Sequence, residues 1–403
     1  MRSGSTDPKP AGGAEPGVVP DDARTPVIIA ARRLATAKAG GAYGRLRVHD
    51  LAAPVLRAVL DDSGVGGAEV DDVILGNATG GGGNMARLAA LTAGLPDAVP
   101  GLTVDRQCSS GLDAVVLACR LVQAGAGELY LAGGAESIST APARAHRLDG
   151  GGLDFFDRAQ FAPQASGDPD AGVAAENVAA RFGISRERQD AYALESHRRA
   201  RAAADNGVFD REIVPLAGLS ADQGLRRTLT PRLMARFPAA FVGGGTVTAG
   251  NSCPYSDGAA AVVVTTLAKA RRLAAHGLVF RGSAAAGTDP TLMGVGAAHS
   301  TLALSRSLGT GLAGLAPGLL EFNEAFASQV LACAGLLGVD PAAFNRDGGA
   351  LALGHPYGAS GAVLVTRLFA QSLARGESGL GAVAMVSAAG GLGVSAAFEW
   401  RAF

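Results

Sequence analysis

Two stretches of this 403-residue chain carry the same order of local signals, and that repeat constrains the fold more than any single motif. From Cys108 to Gly134 the order is Ser110-Gly111, an amphipathic run, Gly127-Glu128, the apolar strand pattern LYLA, then Gly133-Gly134. From His355 to Gly391 it is Ser360-Gly361, a second amphipathic run, Gly376-Glu377, the strand pattern AVAMV, then Gly390-Gly391. The Gly-Glu pair begins 17 residues after the serine in the first stretch and 16 after it in the second. The chain therefore reads as two superposable halves. VIIA at 27–30 and DVIL at 72–75 read as buried strands, and LAAPVLRAVL at 51–60 has apolar residues at helical spacing despite Pro54. Strands alternating with helices predict βαβ units and a mainly parallel sheet in an α/β protein.

Composition excludes several classes. With 48% hydrophobic and 18% charged residues the chain has ample core material and is not disordered as a whole. A formal net charge of −1 gives no electrostatic reason to bind nucleic acid or an anionic membrane surface. The best apolar run, Ala259–Leu267, is too short to span a bilayer, and the N-terminus has no apolar stretch fit for a signal peptide, so a cytoplasmic protein is expected. Cys108, Cys119, Cys253 and Cys333 are widely spaced, which argues against a disulfide framework and against a metal site. Residues 1–24, with Pro8, Pro10, Pro16 and Pro20 among Gly, Ser and Asp, read as a disordered tail. Between the halves, Ala145–Pro169 reads as irregular loop, Ala174–Arg201 as strongly helical, and Leu225–Phe241 as basic and broken by Pro231 and Pro238. Together they look like an insertion that covers a site.

Four places carry residues suited to chemistry. Cys108 follows an extended stretch and precedes a helix, where the positive helix end and free N–H groups lower a thiol pKa; the bland alternative is a buried structural cysteine. Cys119, on the apolar face of that helix, reads as core. His355 sits among Gly348, Gly349, Gly354, Gly358 and Gly361, a turn that holds an imidazole with room for a ligand, or merely satisfies it. Asn323 and Glu324 lie between an apolar strand and an apolar helix, where the asparagine either caps the helix or orients a water or oxyanion. Ser387 precedes Gly390-Gly391-Leu392-Gly393, which lacks the order of a dinucleotide loop, and the Gly80–Gly83 run lacks the Lys of a phosphate loop.

These segments together resemble the thiolase family, acyl-CoA acyltransferases that make or cleave 3-ketoacyl-CoA. The resemblance runs from about Pro26 to the C-terminus through AGLPDAVPGLTVDRQCSSGLDAV, AGGAESISTAP, AAENVAARFGISRERQDAYALESH, GGTVTAGN, SDGAAAV, DPTLMGVG, NEAF and GGALALGHPYGASGA. It implies two similar halves stacked as five layers, αβαβα, with an inserted loop domain that binds CoA. The boundaries expected are 25–145 plus 244–272 for the N-terminal half, 146–243 for the insertion and 273–403 for the C-terminal half. Cys108 matches the acyl-accepting nucleophile, His355 the histidine that activates it and helps bind the thioester oxygen, and Asn323 the asparagine that holds a catalytic water. The substrate implied is an acyl-CoA or acyl-carrier thioester, with no further cofactor, and the assembly a homodimer or homotetramer.

The resemblance also exposes departures. Where the family has Cys-x-Gly-Gly-Gly, this chain has Ser387-Ala388-Ala389-Gly390-Gly391. Ser387 therefore stands in place of the cysteine that removes the α-proton of the incoming acyl-CoA, and Ala389 in place of a glycine whose N–H joins that of Cys108 in an oxyanion hole. A serine hydroxyl does not ionise to a useful base without a partner, and general acid–base catalysis is worth roughly 10²–10⁴ in rate. Acyl transfer to Cys108 is then expected to survive while carbon–carbon bond formation suffers. Asp170-Ala171-Gly172 replaces the family's His-Met-Gly, Met293 is kept as a substrate-binding residue, and Cys253 replaces a small polar residue, as a filler or a substrate contact. A decarboxylating condensing enzyme, which needs no α-proton base, and a non-catalytic thiolase-like subunit are the competing expectations.

Overall fold

The computed structural model describes residues 22–309 and 317–403. Most of the expected tail, residues 1–21, lies outside the described residues. Residues 22–24 are held: the Asp22 carbonyl accepts the Ala268 N–H at 3.1 Å, and the Arg24 guanidinium donates to the carbonyls of Gln123 and Ala124.

The main strands are β1 (Pro26–Leu34), β2 (Asp72–Gly76), β3 (Gly101–Val104), β4 (Leu129–Glu136), β5 (Ser256–Thr266), β6 (His276–Gly287), β7 (Pro317–Phe322), β8 (Gly381–Ala388) and β9 (Leu392–Ala402). They run side by side in the order β7-β8-β9-β6-β1-β5-β4-β2-β3. The sheet is mixed, not mainly parallel. Strands joined through a helix are parallel, as in β2 with β4 and β7 with β8. The strands β5, β6 and β9 pair antiparallel. The turn at Gly390 and Gly391, both with positive φ, folds β9 straight back on β8, and a hairpin allows no parallel pairing.

The main helices are α1 (Val48–Ser63), α2 (Met85–Thr92), α3 (Ser110–Ala124), α4 (Ala171–Arg181), α5 (Arg186–Asp205), α6 (Gly296–Ser307), α7 (Ala327–Leu337) and α8 (Tyr357–Arg375). Side-chain alternation along the strands distributes them into five layers. In β2 and β4, Val73, Leu75 and Leu131 pack on Leu51, Val55 and Leu56 of α1, whereas Ile74 and Ala132 pack on α3 and α8. In β8, Ala384 and Val386 also face α3 and α8, while Val383 and Met385 pack against α6 and α7. The layering is α1/α2, sheet, α3/α8, sheet, α6/α7, so α3 and α8 form the buried centre. These two helices are the repeat seen in the sequence, and each ends on a left-handed glycine, Gly125 (φ 72°) and Gly376 (φ 65°).

The helices α3 and α8 cross closely because small residues line the crossing. A Cβ on Gly361 would lie 2.3 Å from the Leu112 nitrogen, and one on Gly134 would lie 2.1 Å from the Gly358 carbonyl oxygen. That approach brings together the N-termini of both helices, one following Cys108 and the other following His355.

Between β4 and β5 the chain makes its long excursion. Ala145–Pro169 is not wholly irregular: Arg144–Arg147 pairs with Leu153–Phe156 in a hairpin that turns through Gly151 and Gly152, both with positive φ. The helical stretch after it is two helices, broken at Gly183 (φ 61°) and restarted by Ser185, whose hydroxyl accepts the Arg188 N–H. The return to the body is fixed by buried ion pairs. Arg33 of β1 bonds Glu212 and Asp222, and Arg367 of α8 bonds Glu212 and Asp347. Among the described residues no helix is long and apolar enough to cross a membrane.

Candidate active site

Cys108 stands on a turn that the sequence builds from side chains. After β3, the Asp105 carboxylate accepts the Gln107 N–H at 2.7 Å, and the Ser110 hydroxyl accepts the Arg106 N–H at 2.8 Å while donating to the Gln107 carbonyl at 2.6 Å. Gln107 is thereby held at φ 52°, a left-handed conformation that costs a non-glycine residue about 1–3 kcal/mol and recurs at functional sites. Cys108 follows, partly exposed, just before α3. Burial of the sulfur pushes its pKa up to about 12, with the Ala389 N–H working in the opposite direction. The helix-end effect expected from sequence loses to desolvation here, and the resting nucleophile is a thiol. Cys119 is fully buried in the central layer, as a core residue.

The Ala389 N–H lies near enough to the Cys108 sulfur to favour its thiolate. Alanine is tolerated there because the positive φ of this turn falls on Gly390 (80°) and Gly391 (76°), and Ala389 is not among the non-glycine residues with positive φ.

His355 is 2% exposed in the turn between Gly354 and α8. Its backbone N–H donates to the Ser256 hydroxyl at 3.2 Å, its Nδ1 lies 2.6 Å from Ser360 Oγ, and its Nε2 lies 3.4 Å from Asn323 Nδ2. An amide N–H facing Nε2 leaves the imidazole proton on Nδ1, donated to Ser360. Burial pulls the imidazole pKa down to about 4, so it is neutral near pH 7, and its Nε2 lone pair is held only by the long Asn323 contact, which must yield for the ring to take a proton. Asn323 does not cap α7, which starts four residues later at Ala327. Its neighbour Glu324 is fully buried and accepts from Tyr192, Ser196, Asn345 and the Leu351 N–H. Glu324 therefore braces the Asn323 loop.

Ser387 is committed elsewhere. Its hydroxyl donates to the Gly294 carbonyl at 2.7 Å and accepts the Ala297 N–H at 2.9 Å, so both its proton and a lone pair serve the backbone of the α6 N-terminal turn. Among the described residues its other polar neighbour is the Cys333 thiol, which burial pushes up to about 12 and which also donates to the Gly294 carbonyl at 3.5 Å. Met293 is buried on that same turn, Pro290–Val295. Cys253 lies on the other side, its N–H donating to the Ala325 carbonyl at 2.9 Å.

Several contributors were not singled out from sequence. Glu136, buried and with burial raising its carboxyl pKa, accepts from the N–H groups of Ala78, Thr79 and Gly358, which fastens the α8 N-terminus to the other half. Ser256 and Ser360 position the imidazole. Tyr357 meets the His355 ring edge to face at 5.2 Å, and Tyr255 bridges the His355 backbone. A buried acid inside a glycine-rich strand, as in AGGAES, was the available signal for Glu136. The insertion reaches the site through Phe241, whose ring would overlap any Cβ on Gly172 and packs edge-on against Phe326. Among the described residues no group of His, Cys, Asp and Glu could hold a metal ion.

Comparisons with known proteins identify the family. The family model "Thiolase, N-terminal domain" matches residues 26–268, and "Thiolase, C-terminal domain" matches residues 276–400. YhfS of Bacillus subtilis (strain 168), provisionally named an acetyl-CoA C-acetyltransferase, is 45% identical over 385 residues, 93% of this chain and 98% of its own length. The crystal structure of the Bacillus anthracis acetyl-CoA acetyltransferase superposes with a TM-score of 0.86 at 34% identity, covering 94% of this chain and 100% of that one. Human mitochondrial 3-ketoacyl-CoA thiolase in complex with CoA gives 0.87 at 31% identity, covering 94% and 98%. The chain belongs to the thiolase family of acyltransferases, which act on acyl-CoA thioesters.

Proposed function

We propose that this thiolase takes an acyl group from an acyl-CoA onto Cys108 and passes it to a second thiol or to the α-carbon of a second thioester, with no acid–base help from Ser387. The observation that carries this is the convergence of the Cys108 thiol, the Ala389 N–H and the neutral His355–Asn323 pair where α3 and α8 begin. Neutral His355 takes the Cys108 proton at Nε2 as the sulfur attacks the thioester carbonyl. The Ala389 N–H meets the charge that develops on oxygen, a contribution worth about 3–4 kcal/mol per donor at such sites. Collapse expels CoA as a thiolate, which must find a proton from a second acid. The Ser387 hydroxyl, tied to Gly294 and Ala297, is a poor source.

The test is intact-protein mass spectrometry after incubation with a panel of acyl-CoAs, followed by peptide mapping. One acyl group on Cys108, absent in Cys108→Ala, is the expected result; labelling elsewhere or nowhere refutes the reading. The commitment of Ser387 also favours one alternative, decarboxylating condensation, because loss of CO₂ generates the carbanion without a base. Condensation of malonyl- but not acetyl-thioesters would select it. The working unit in this reading is a homo-oligomer: the edge strand β3 leaves Leu102 exposed, and Leu88 and Leu91 of α2 add apolar surface. Light scattering that finds only monomer at micromolar concentration would contradict that.

A further inference from the structure

The site has a second thiol in an unexpected place. Cys253 lies on a short extended segment strung between the two loops that carry Asn323 and His355. On one side Ser252 bridges Phe326 and the Cys253 N–H bonds the Ala325 carbonyl at 2.9 Å; on the other, Tyr255 bridges His355 itself. The segment thus forms a wall of the same space that Cys108 faces. Burial pushes the Cys253 thiol well above its ordinary range, a charge on Cys108 adds to that, and both cysteines act on the buried phenol of Tyr357. Cys253 is partly exposed, and among the described residues its sulfur has only its own backbone N–H as a hydrogen-bonding neighbour. Ser387, by contrast, spends its hydroxyl on two backbone partners.

Resting on the acyl-Cys108 reading above, we propose that Cys253 is the acid–base thiol of this enzyme. The proton balance closes with it. His355 takes the Cys108 proton; Cys108 displaces CoA thiolate from the first acyl-CoA; Cys253 gives its proton to that thiolate, and CoA leaves as the thiol. With a thiolate on Cys253 and an imidazolium on His355, the two groups together carry no net charge. The thiolate removes an α-proton from the second acyl-CoA, and the resulting carbanion attacks the carbonyl of acyl-Cys108. The 3-ketoacyl-CoA departs, and the freed Cys108 thiolate recovers the proton held by His355. Thiolysis is the reverse, with Cys253 deprotonating the incoming CoA. Each step moves one proton or one acyl group and needs no oxidant or further reactant.

The experiment compares wild type, Cys253→Ala and Cys253→Ser in three readouts: acyl labelling of Cys108, exchange of the acetyl-CoA α-protons in D₂O followed by NMR, and thiolysis of acetoacetyl-CoA. Cys253→Ser keeps size and polarity but not acidity, so it separates proton transfer from packing. Both variants are expected to reach the same end point of one acyl group on Cys108, more slowly because the departing CoA thiolate has lost its proton donor, and to lose exchange and thiolysis by 10²-fold or more, within the general acid–base range. Wild-type exchange and thiolysis in either variant would overturn the assignment. So would an equal loss of labelling and exchange in both, which would make Cys253 a packing residue. Failure of Cys108 to label in the wild type would instead refute the proposed function on which this inference stands.

Discussion

The side-chain amide of Asn323 stands 3.4 Å from Nε2 of His355, and an N–H on that side places the resting imidazole proton on Nδ1. With an N–H donor on that side and Ser360 Oγ 2.6 Å from Nδ1, the ring is held as a neutral base aimed by its neighbours. Asn323→Asp keeps the shape and reverses the electrostatics, since a carboxylate beside Nε2 favours a proton there. Single-turnover acylation of Cys108 should fall by about 10²-fold or more, within the range for a lost general base, and its pH optimum should rise. Unchanged acylation in a folded Asn323→Asp protein would remove Asn323 from the mechanism.

The pH behaviour follows from burial at two groups with opposite consequences. His355 is held neutral down to about pH 4, so the acid limb of Cys108 acylation should appear near there and not near 6.5. The same depressed pKa, shared by His197 through its own burial, makes stability fall with acid. The contribution is complete above the unfolded histidine pKa and disappears as pH drops from about 6.5 toward 4. Cys108 carries its pKa up to about 12, so iodoacetamide should label it slowly at pH 7 and about tenfold faster per pH unit through pH 10. A plateau in the alkylation rate below pH 8 would show a thiolate already formed at rest.

Ser387 should behave as a structural residue. Ser387→Ala leaves the Ala297 N–H without its partner and the Gly294 carbonyl with only the Cys333 thiol at 3.5 Å, at a cost of about 1–3 kcal/mol to folding. Urea denaturation reads that loss. Acyl labelling and thiolysis should change together and by no more than a few-fold. A selective 10²-fold fall in thiolysis in the folded variant would return the base to Ser387.

Much of the architecture was legible because it rests on local patterning. The two halves showed in the spacing of Ser-Gly, Gly-Glu and Gly-Gly, and α3 and α8 occupy those positions with matching glycine stops. What sequence missed depends on long-range geometry. The strand Leu392–Ala402 was not read from sequence, because Gly390 and Gly391 before it gave no sign that they form the turn that folds it back on β8. The ionisation of Cys108 was misjudged because a helix end is visible in sequence and desolvation by two packed halves is not. Asn323 was open to a capping role until its distance from His355 set it apart from the α7 cap. Cys253 stood out in sequence only as a filler or a substrate contact, since its place between the Asn323 and His355 loops is created by bridges from Ser252 and Tyr255 to residues roughly seventy and a hundred positions away.

The joining of the halves can itself be tested at Gly361. This glycine has no unusual φ to satisfy; it is required by contact, since a Cβ there would sit 2.3 Å from the Leu112 nitrogen and 2.6 Å from the Leu112 Cβ. Backbone cannot yield as a flexible side chain does, so Gly361→Ala must push α8 away from α3. Overpacking of this kind costs about 1–3 kcal/mol. The larger effect should be functional, because Cys108 precedes one helix and His355 the other, and a misplacement of about 1 Å at a reacting pair costs on the order of 10²-fold in rate. Folded Gly361→Ala should therefore bind acyl-CoA with modest change yet acylate Cys108 about 10²-fold more slowly, with no shift in the pH profile because neither ionisation is altered. Gly335→Ala supplies the control: its Cβ meets nothing within 4 Å, and it should leave both folding and acylation as they are. If Gly361→Ala acylates at the wild-type rate, the close crossing of α3 and α8 is not what sets the distance between nucleophile and base.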